Sequence, residues 1–199
     1  MPADVAERMA RPEAIAVAKA FVAEIEDCCD QLIVAGSLRR RLAMIGDIEI
    51  VCVPKVEAVP HGLFADVAVD VDRLAERLDL LLERGDVEKT LNKNGSPSWG
   101  PTAKRLIYRG ARIDLFSPCA ERFGWILLLR TGPAMFSRQL VMLRGRTTRD
   151  GRPGLLPDHI YPVDGWLTWG VSGERIETRD EHAVFDLFGI PYLEPWERT

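Results

Sequence analysis

Apolar and polar positions recur along this chain with periods that predict its elements. In residues 11–30, RPEAIAVAKAFVAEIEDCCD, the residues Ile15, Ala18, Phe21, Val22 and Ile25 fall at helical spacing, and Pro12 suits a first turn. Residues 31–35 form a short apolar strand. A Gly36-Ser37 turn follows and starts a short helix through Leu42. Residues 47–53 are a second strand, and Pro54 to Gly62 reads as a loop. The spacing of Val71, Leu74, Leu78, Leu81 and Leu82 predicts a helix over 70–84, with Gly85 as its stop.

Shorter β-like runs come next: Val87–Leu91, Arg105–Arg109 and Arg112–Phe116, punctuated by Asn94-Gly95 and Arg109-Gly110. Residues 122–130 and 134–144 are helical in pattern, separated by Thr131-Gly132-Pro133. Gly151 to Pro162 is rich in Gly and Pro and reads as irregular. Residues 166–177 alternate weakly, as one or two short strands. A last helix spans 179–188, ended by Gly189 and Pro191. The whole is an α+β pattern: a helix–strand–turn–strand core first, then a small mixed α/β unit. The boundary falls near Arg122 to Thr131. There are no internal repeats.

Composition narrows the classes. The chain has 199 residues, 47% of them hydrophobic, which is enough for a buried core and argues against global disorder. No apolar run reaches the length of a membrane span, and the N-terminus, MPADVAERMARPE, has no apolar signal region. A soluble, cytoplasmic protein is expected. Cys28, Cys29, Cys52 and Cys119 lack metal-ligand spacing and read as reduced thiols. His61, His159 and His182 are scattered. Among the tryptophans, Trp125 reads as core, while Trp99 lies in a Ser-, Pro- and Gly-rich loop where stacking on a base is open to it. Net charge is −4, yet Arg130, Arg138, Arg144, Arg146, Arg149 and Arg152 face a single acid, Asp150, in the same stretch. The middle of the chain is therefore basic and its end acidic.

Candidate chemistry sits in residues 34–54, VAGSLRRRLAMIGDIEIVCVP. In a strand, Asp47 and Glu49 project to one face while Ile48 and Ile50 point to the other. Two carboxylates side by side repel unless a cation lies between them, and hard oxygen ligands suit Mg²⁺. Upstream, Gly36-Ser37 and Arg39-Arg40 offer amides, a hydroxyl and guanidinium groups, the chemistry a triphosphate needs. Asp114, inside the apolar run Ile113 to Phe116, repeats the theme. Paired beside residues 47–53, it would complete a set of three carboxylates able to hold two Mg²⁺ ions for in-line phosphoryl transfer.

With these residues in view the chain resembles the family X DNA polymerases, the DNA polymerase beta group of the nucleotidyltransferase superfamily. Gly36-Ser37-Leu38-Arg39-Arg40 through Gly46-Asp47-Ile48-Glu49 is similar to the family's G-S-x-R-R…G-D-x-D signature. Arg112-Ile113-Asp114 resembles the strand of the third metal ligand. Thr131-Gly132 with Phe136-Ser137-Arg138 resembles the T-G-S-x-x-F-N-[KR] segment. Glu181 to Phe185 and Pro191 to Pro195 resemble the close of the thumb. The resemblance runs from about residue 12 to the C-terminus.

It implies a nucleotidyltransferase palm, a mixed sheet with flanking helices, over 1–121 and a small α/β thumb over 122–199. It implies Asp47, Glu49 and Asp114 as catalytic metal ligands for two Mg²⁺ ions, with Mn²⁺ as a substitute, and Asp114 beside the primer 3′-hydroxyl. Gly36, Ser37, Arg40 and Gly46 would meet the β- and γ-phosphates, and Thr131-Gly132 the sugar. Ser137 and Arg138 would lie along the nascent base pair, and Arg112 on the primer backbone. Lys104-Arg105 and the arginine-rich segment would help grip DNA. The partners implied are a DNA primer-template or gapped duplex and a dNTP, bound by a monomer that fills short gaps in DNA repair. Five positions depart from the family pattern: Glu49 for Asp, Leu129-Arg130 for aromatic residues, Pro133 for Ser and Ser137 for Asn. No lyase or helix-hairpin-helix module is expected in front, so DNA binding should be weak and salt-dependent. Two other readings stay open: transfer of a nucleotide to a protein or small molecule, and a non-catalytic DNA-binding module.

Overall fold

The structure, a computed structural model, describes residues 8–61 and 67–198. In chain order its elements begin with β1 (Met9–Ala10), α1 (Arg11–Ile25), β2 (Cys29–Val34), α2 (Gly36–Arg39), β3 (Met44–Ile45) and β4 (Ile48–Pro54). They continue with β5 (Val56–His61), β6 (Val67–Asp72), α3 (Arg73–Glu83), β7 (Val87–Lys89), β8 (Ala103–Tyr108) and β9 (Ala111–Phe116). The last are α4 (Phe123–Thr131), α5 (Ala134–Leu140), β10 (Ile160–Val163), β11 (Trp166–Trp169), β12 (Arg175–Ile176) and α6 (Glu181–Phe188).

The central feature is a mixed five-stranded sheet in the order β2-β4-β9-β8-β7. β4 and β9 run parallel; the other neighbours are antiparallel. Period-2 alternation gives the sheet two different faces. On one, Ile48, Ile50, Leu106, Tyr108, Ile113 and Leu115 pack against Ala14, Ala18, Phe21 and Ile25 of α1 and Leu74, Leu78 and Leu81 of α3. Each fully buried Leu, Ile or Phe there is worth about 1.5–3 kcal/mol. On the other face, Val51, Val53 and Phe116 meet Phe123 and Leu127 of α4. That cover leaves the end of the face bearing Asp47, Glu49 and Asp114 clear of the apolar core.

Helix α4 is apolar nearly all round, with Phe123, Trp125, Leu127 and Leu128 all buried. Its second side, Trp125 and Leu128, joins Phe136 and Leu140 of α5, Ile160, Leu167 and Ile176 of the β10-β11-β12 sheet, and Val184, Phe185 and Phe188 of α6. One helix thus belongs to two cores.

Several sequence expectations shift. Residues 56–61 are strand rather than loop: β5 pairs antiparallel with β6, so the ribbon's own hydrogen bonds outweigh the turn signal, and Pro60 is tolerated there as in any edge strand. Gly62 and residues 1–7 lie outside the described residues. The helix expected from residue 70 starts at Arg73, because Val67 to Asp72 alternate as a strand and Asp72 caps the helix by accepting from the Ala75 amide at 2.9 Å. The short helix after Gly36 stops at Arg39, with Arg41 in left-handed backbone at φ 65°. Helix α5 ends at Leu140, and Ile160–Val163, read as irregular, pairs with β11. Among the described residues no helix is long and apolar enough to cross a membrane.

Candidate active site

Strand register builds the site. Glu49 on β4 and Asp114 on β9 are direct neighbours, and Asp114 is in turn paired with Arg105 on β8. The row reads Arg105, Asp114, Glu49 across one sheet face. One step along the strands, Arg112 lies beside Asp47, and their side chains form an ion pair at 3.2 Å. A second ion pair joins Arg105 Nε to Asp114 Oδ2 at 3.2 Å.

The Gly36 turn closes the row at its β2 end. Gly36 has φ +62°, a left-handed conformation that side chains resist, and a Cβ there would overlap the Glu49 carboxylate. Only glycine lets that carboxylate lie against the turn. The Ala35 amide donates to the Glu49 carbonyl at 2.7 Å and pins the turn to β4. A cleft of about 380 Å³ opens here, lined by Arg8, Ser37, Arg40, Gly46, Asp47 and Arg112 among others. Gly46 and Arg112 also border a second cleft of about 550 Å³ that reaches Lys93 and Arg105.

Electrostatics mark the carboxylates as short of positive charge. Burial, reinforced by Asp47 and Asp114, pushes the Glu49 carboxyl up to about 7 against the pull of Arg130 and Arg40. Burial also raises Asp114, with Arg105 the main opposing influence. Asp114 Oδ1 and Ser37 Oγ are buried with no hydrogen-bond partner. Hard oxygen donors, an orphaned carboxylate oxygen and a carboxyl starved of counter-charge fit a divalent cation. Among the described residues no three acid, His or Cys side chains converge into a ready-made cage. Asp47 and Asp114 each direct one oxygen to an arginine instead, so guanidinium groups supply the charge.

The remaining sequence-predicted residues divide. Arg40 donates to the Thr131 carbonyl at the end of α4, and Arg39 donates to Thr131 Oγ1 at 2.8 Å. The Gly36–Arg40 turn and the Thr131-Gly132 segment are therefore in contact. Gly132 is tightly packed, since a Cβ there would lie 2.8 Å from the Phe136 ring and 3.3 Å from Ser137 Oγ. The Ser137 hydroxyl donates to the Leu129 carbonyl at 2.8 Å. Arg138 is exposed on α5, and its charge acts on Asp150. Lys104 is buried on the opposite sheet face, its amine 3.3 Å from the Pro101 carbonyl. Arg105, its neighbour in β8, is the basic group beside Asp114. Trp125 is core, and Trp99 is half-buried against the first core with Lys89 over its ring. Sequence reasoning counted Arg130 in the basic stretch and as a departure from the family pattern but did not place it at the site, where its guanidinium lies 3.9 Å from the centre of the Phe116 ring. Its only signal was its place before Thr131-Gly132.

Two comparisons bear on this geometry. Residues 161–199, which carry β11, β12, α6 and most of β10, match the DNA polymerase beta thumb family. The chain is also 25% identical over 169 residues to DNA polymerase lambda of Rattus norvegicus, an alignment that covers 83% of this chain and 28% of that protein. The chain spans little more than a quarter of that relative's length.

Proposed function

We propose, for a chain that resembles the family X DNA polymerases along most of its length, a Mg²⁺-dependent nucleotidyl transfer. A dNMP is added to a DNA primer 3′-hydroxyl and pyrophosphate leaves. The observation that carries this reading is the row of Arg105, Asp114 and Glu49 on one sheet face, with the Gly36 turn packed on Glu49 and Asp47 one step away. In this reading residues 1–121 are the palm and 122–199 the thumb.

Asp47, Glu49 and Asp114 are the residues that would hold two Mg²⁺ ions, or Mn²⁺. When bound, the metal supplies charge neutralisation for the triphosphate and a more acidic attacking hydroxyl. Asp114 orients the 3′-oxygen and accepts its proton. Ser37 and the Gly36 and Gly46 backbone hold the β- and γ-phosphates, and Arg40 joins them when it leaves the Thr131 carbonyl. The Thr131-Gly132 backbone borders the sugar, with Ser137 and Arg138 towards the base pair and Arg112 on the primer backbone. Catalysis of this kind is positioning plus charge neutralisation. The setting that fits is short-gap filling in DNA repair inside the cell, by a monomer.

The test is incubation with a gapped primer-template, each dNTP in turn, and Mg²⁺ or Mn²⁺. Template-matched extension is expected. Nucleotide consumption without extension would point to a protein or small-molecule acceptor, and binding without turnover to a non-catalytic module. Asp114→Ala should abolish extension while sparing DNA binding; unchanged extension would remove Asp114 from the site.

A further inference from the structure

Arg130 carries a charge that the roles proposed above for the carboxylate site do not use. It sits at the next-to-last position of α4, and its guanidinium is stacked on Phe116. Phe116 is two residues beyond Asp114 on the same strand, and its partner on β4 is Val51, two beyond Glu49. Residues two apart in a strand share a face at about 7 Å. The guanidinium therefore lies over the sheet face that bears the Asp114–Glu49 pair. Its charge acts on both carboxylates, and it forms no direct ion pair among the described residues.

Arg105 and Arg112 differ from it in kind. Both touch a carboxylate directly, and neither lies over an aromatic ring among the described residues. Arg130 is held by the ring beneath it, because a planar guanidinium over an aromatic face gains from the ring's quadrupole. A charge held in this way stays when a divalent cation enters, and the two repel.

We propose that Arg130, fixed on Phe116, is a positioning residue: a resident counter-charge that sets how tightly Asp47, Glu49 and Asp114 take a divalent cation. The inference rests on the metal-site reading above. It predicts a site whose metal affinity is held down until other anionic groups, those of a bound triphosphate, join the carboxylates.

The experiment is Mn²⁺ titration of the full chain, without DNA or nucleotide, followed by the electron paramagnetic resonance signal of free Mn²⁺. Wild type, Asp114→Ala, Arg130→Gln and Arg130→Lys are compared, with thermal melts to verify folding. Wild type should bind Mn²⁺ and Asp114→Ala should lose it. Arg130→Gln should bind on the order of tenfold more tightly, and Arg130→Lys, which keeps the charge, should stay close to wild type. A role in packing alone would leave affinity unchanged or weaken it. If Asp114→Ala loses Mn²⁺ and Arg130→Gln does not gain, the counter-charge is wrong and the metal site stands. If wild type and Asp114→Ala bind Mn²⁺ alike, or no variant including Arg130→Gln binds, the metal site fails and the counter-charge with it.

Discussion

Gly36 and Glu49 compete for one small volume. The glycine's missing Cβ leaves room for the carboxylate, and its φ of +62° turns the chain into α2. Gly36→Ala meets both obstacles, so a loss of about 1–3 kcal/mol in urea unfolding is expected, with Glu49 displaced and activity lost beyond what unfolding explains. A variant as stable and active as wild type would mean the turn has slack. Glu49 itself is a cost to the metal-free fold. Burial and Asp47 hold its carboxyl at about 7, against about 4.3 in an unfolded chain. For a raised carboxyl, the stabilisation is complete below the unfolded value and is lost as pH rises through the folded one. In chelator at about pH 8, Glu49→Gln should therefore be more stable than wild type, by up to about 3 kcal/mol, and show no gain near pH 4. An equal gain at both pH values would assign the effect to packing.

Among the elements, alternation decides which charges meet. On β8, Lys104 and Arg105 are adjacent in sequence and opposite in space: one is buried beside the helices' side of the sheet, the other pairs with Asp114. Composition alone treats them as one basic pair. The helix α3 shows the reverse case, where local pattern is enough. Leu74, Leu78 and Leu81 are buried as their spacing predicts, and Leu80 between them is exposed. Its start depends on one contact, Asp72 Oδ1 accepting from the Ala75 amide at 2.9 Å. Asp72→Ala should cost about 1 kcal/mol in urea unfolding; a neutral result would show that β6, which ends at Asp72, fixes the helix start unaided.

Across the whole molecule, three consecutive arginines tie the Gly36 turn to the C-terminal half. Arg40 reaches the Thr131 carbonyl, and Arg41 stacks on Trp196 with 3.5 Å between guanidinium carbon and ring centre. Arg39 grips Glu181 through two hydrogen bonds of 2.8 Å, and Arg198 grips the same carboxylate at 2.7 and 3.0 Å. Burial pushes the Glu181 carboxyl up, but its bonds to Arg198 and Arg39 together bring it below the usual range. Removing it leaves buried Arg198 without its partner. Glu181→Ala should therefore cost about 3–5 kcal/mol, read by urea unfolding with Trp196 fluorescence reporting whether the C-terminus detaches first. A loss under about 1 kcal/mol would mean that the apolar packing of α4 in both cores joins the halves without the clamp.

Sequence by itself determined which residues carry charge inside apolar strands, that Asp47 and Glu49 share a face, and that a glycine turn stands close before them. Those are local properties, set by a side-chain period of two and by the backbone freedom of one residue. Only the tertiary structure decided that β4 and β9 run parallel with Glu49 opposite Asp114, that Arg105 rather than Lys104 faces them, and that Arg130 is stacked nearby on Phe116. Register and helix docking depend on partners distant in the chain, and a slip of one residue turns every side chain of a strand to the other face.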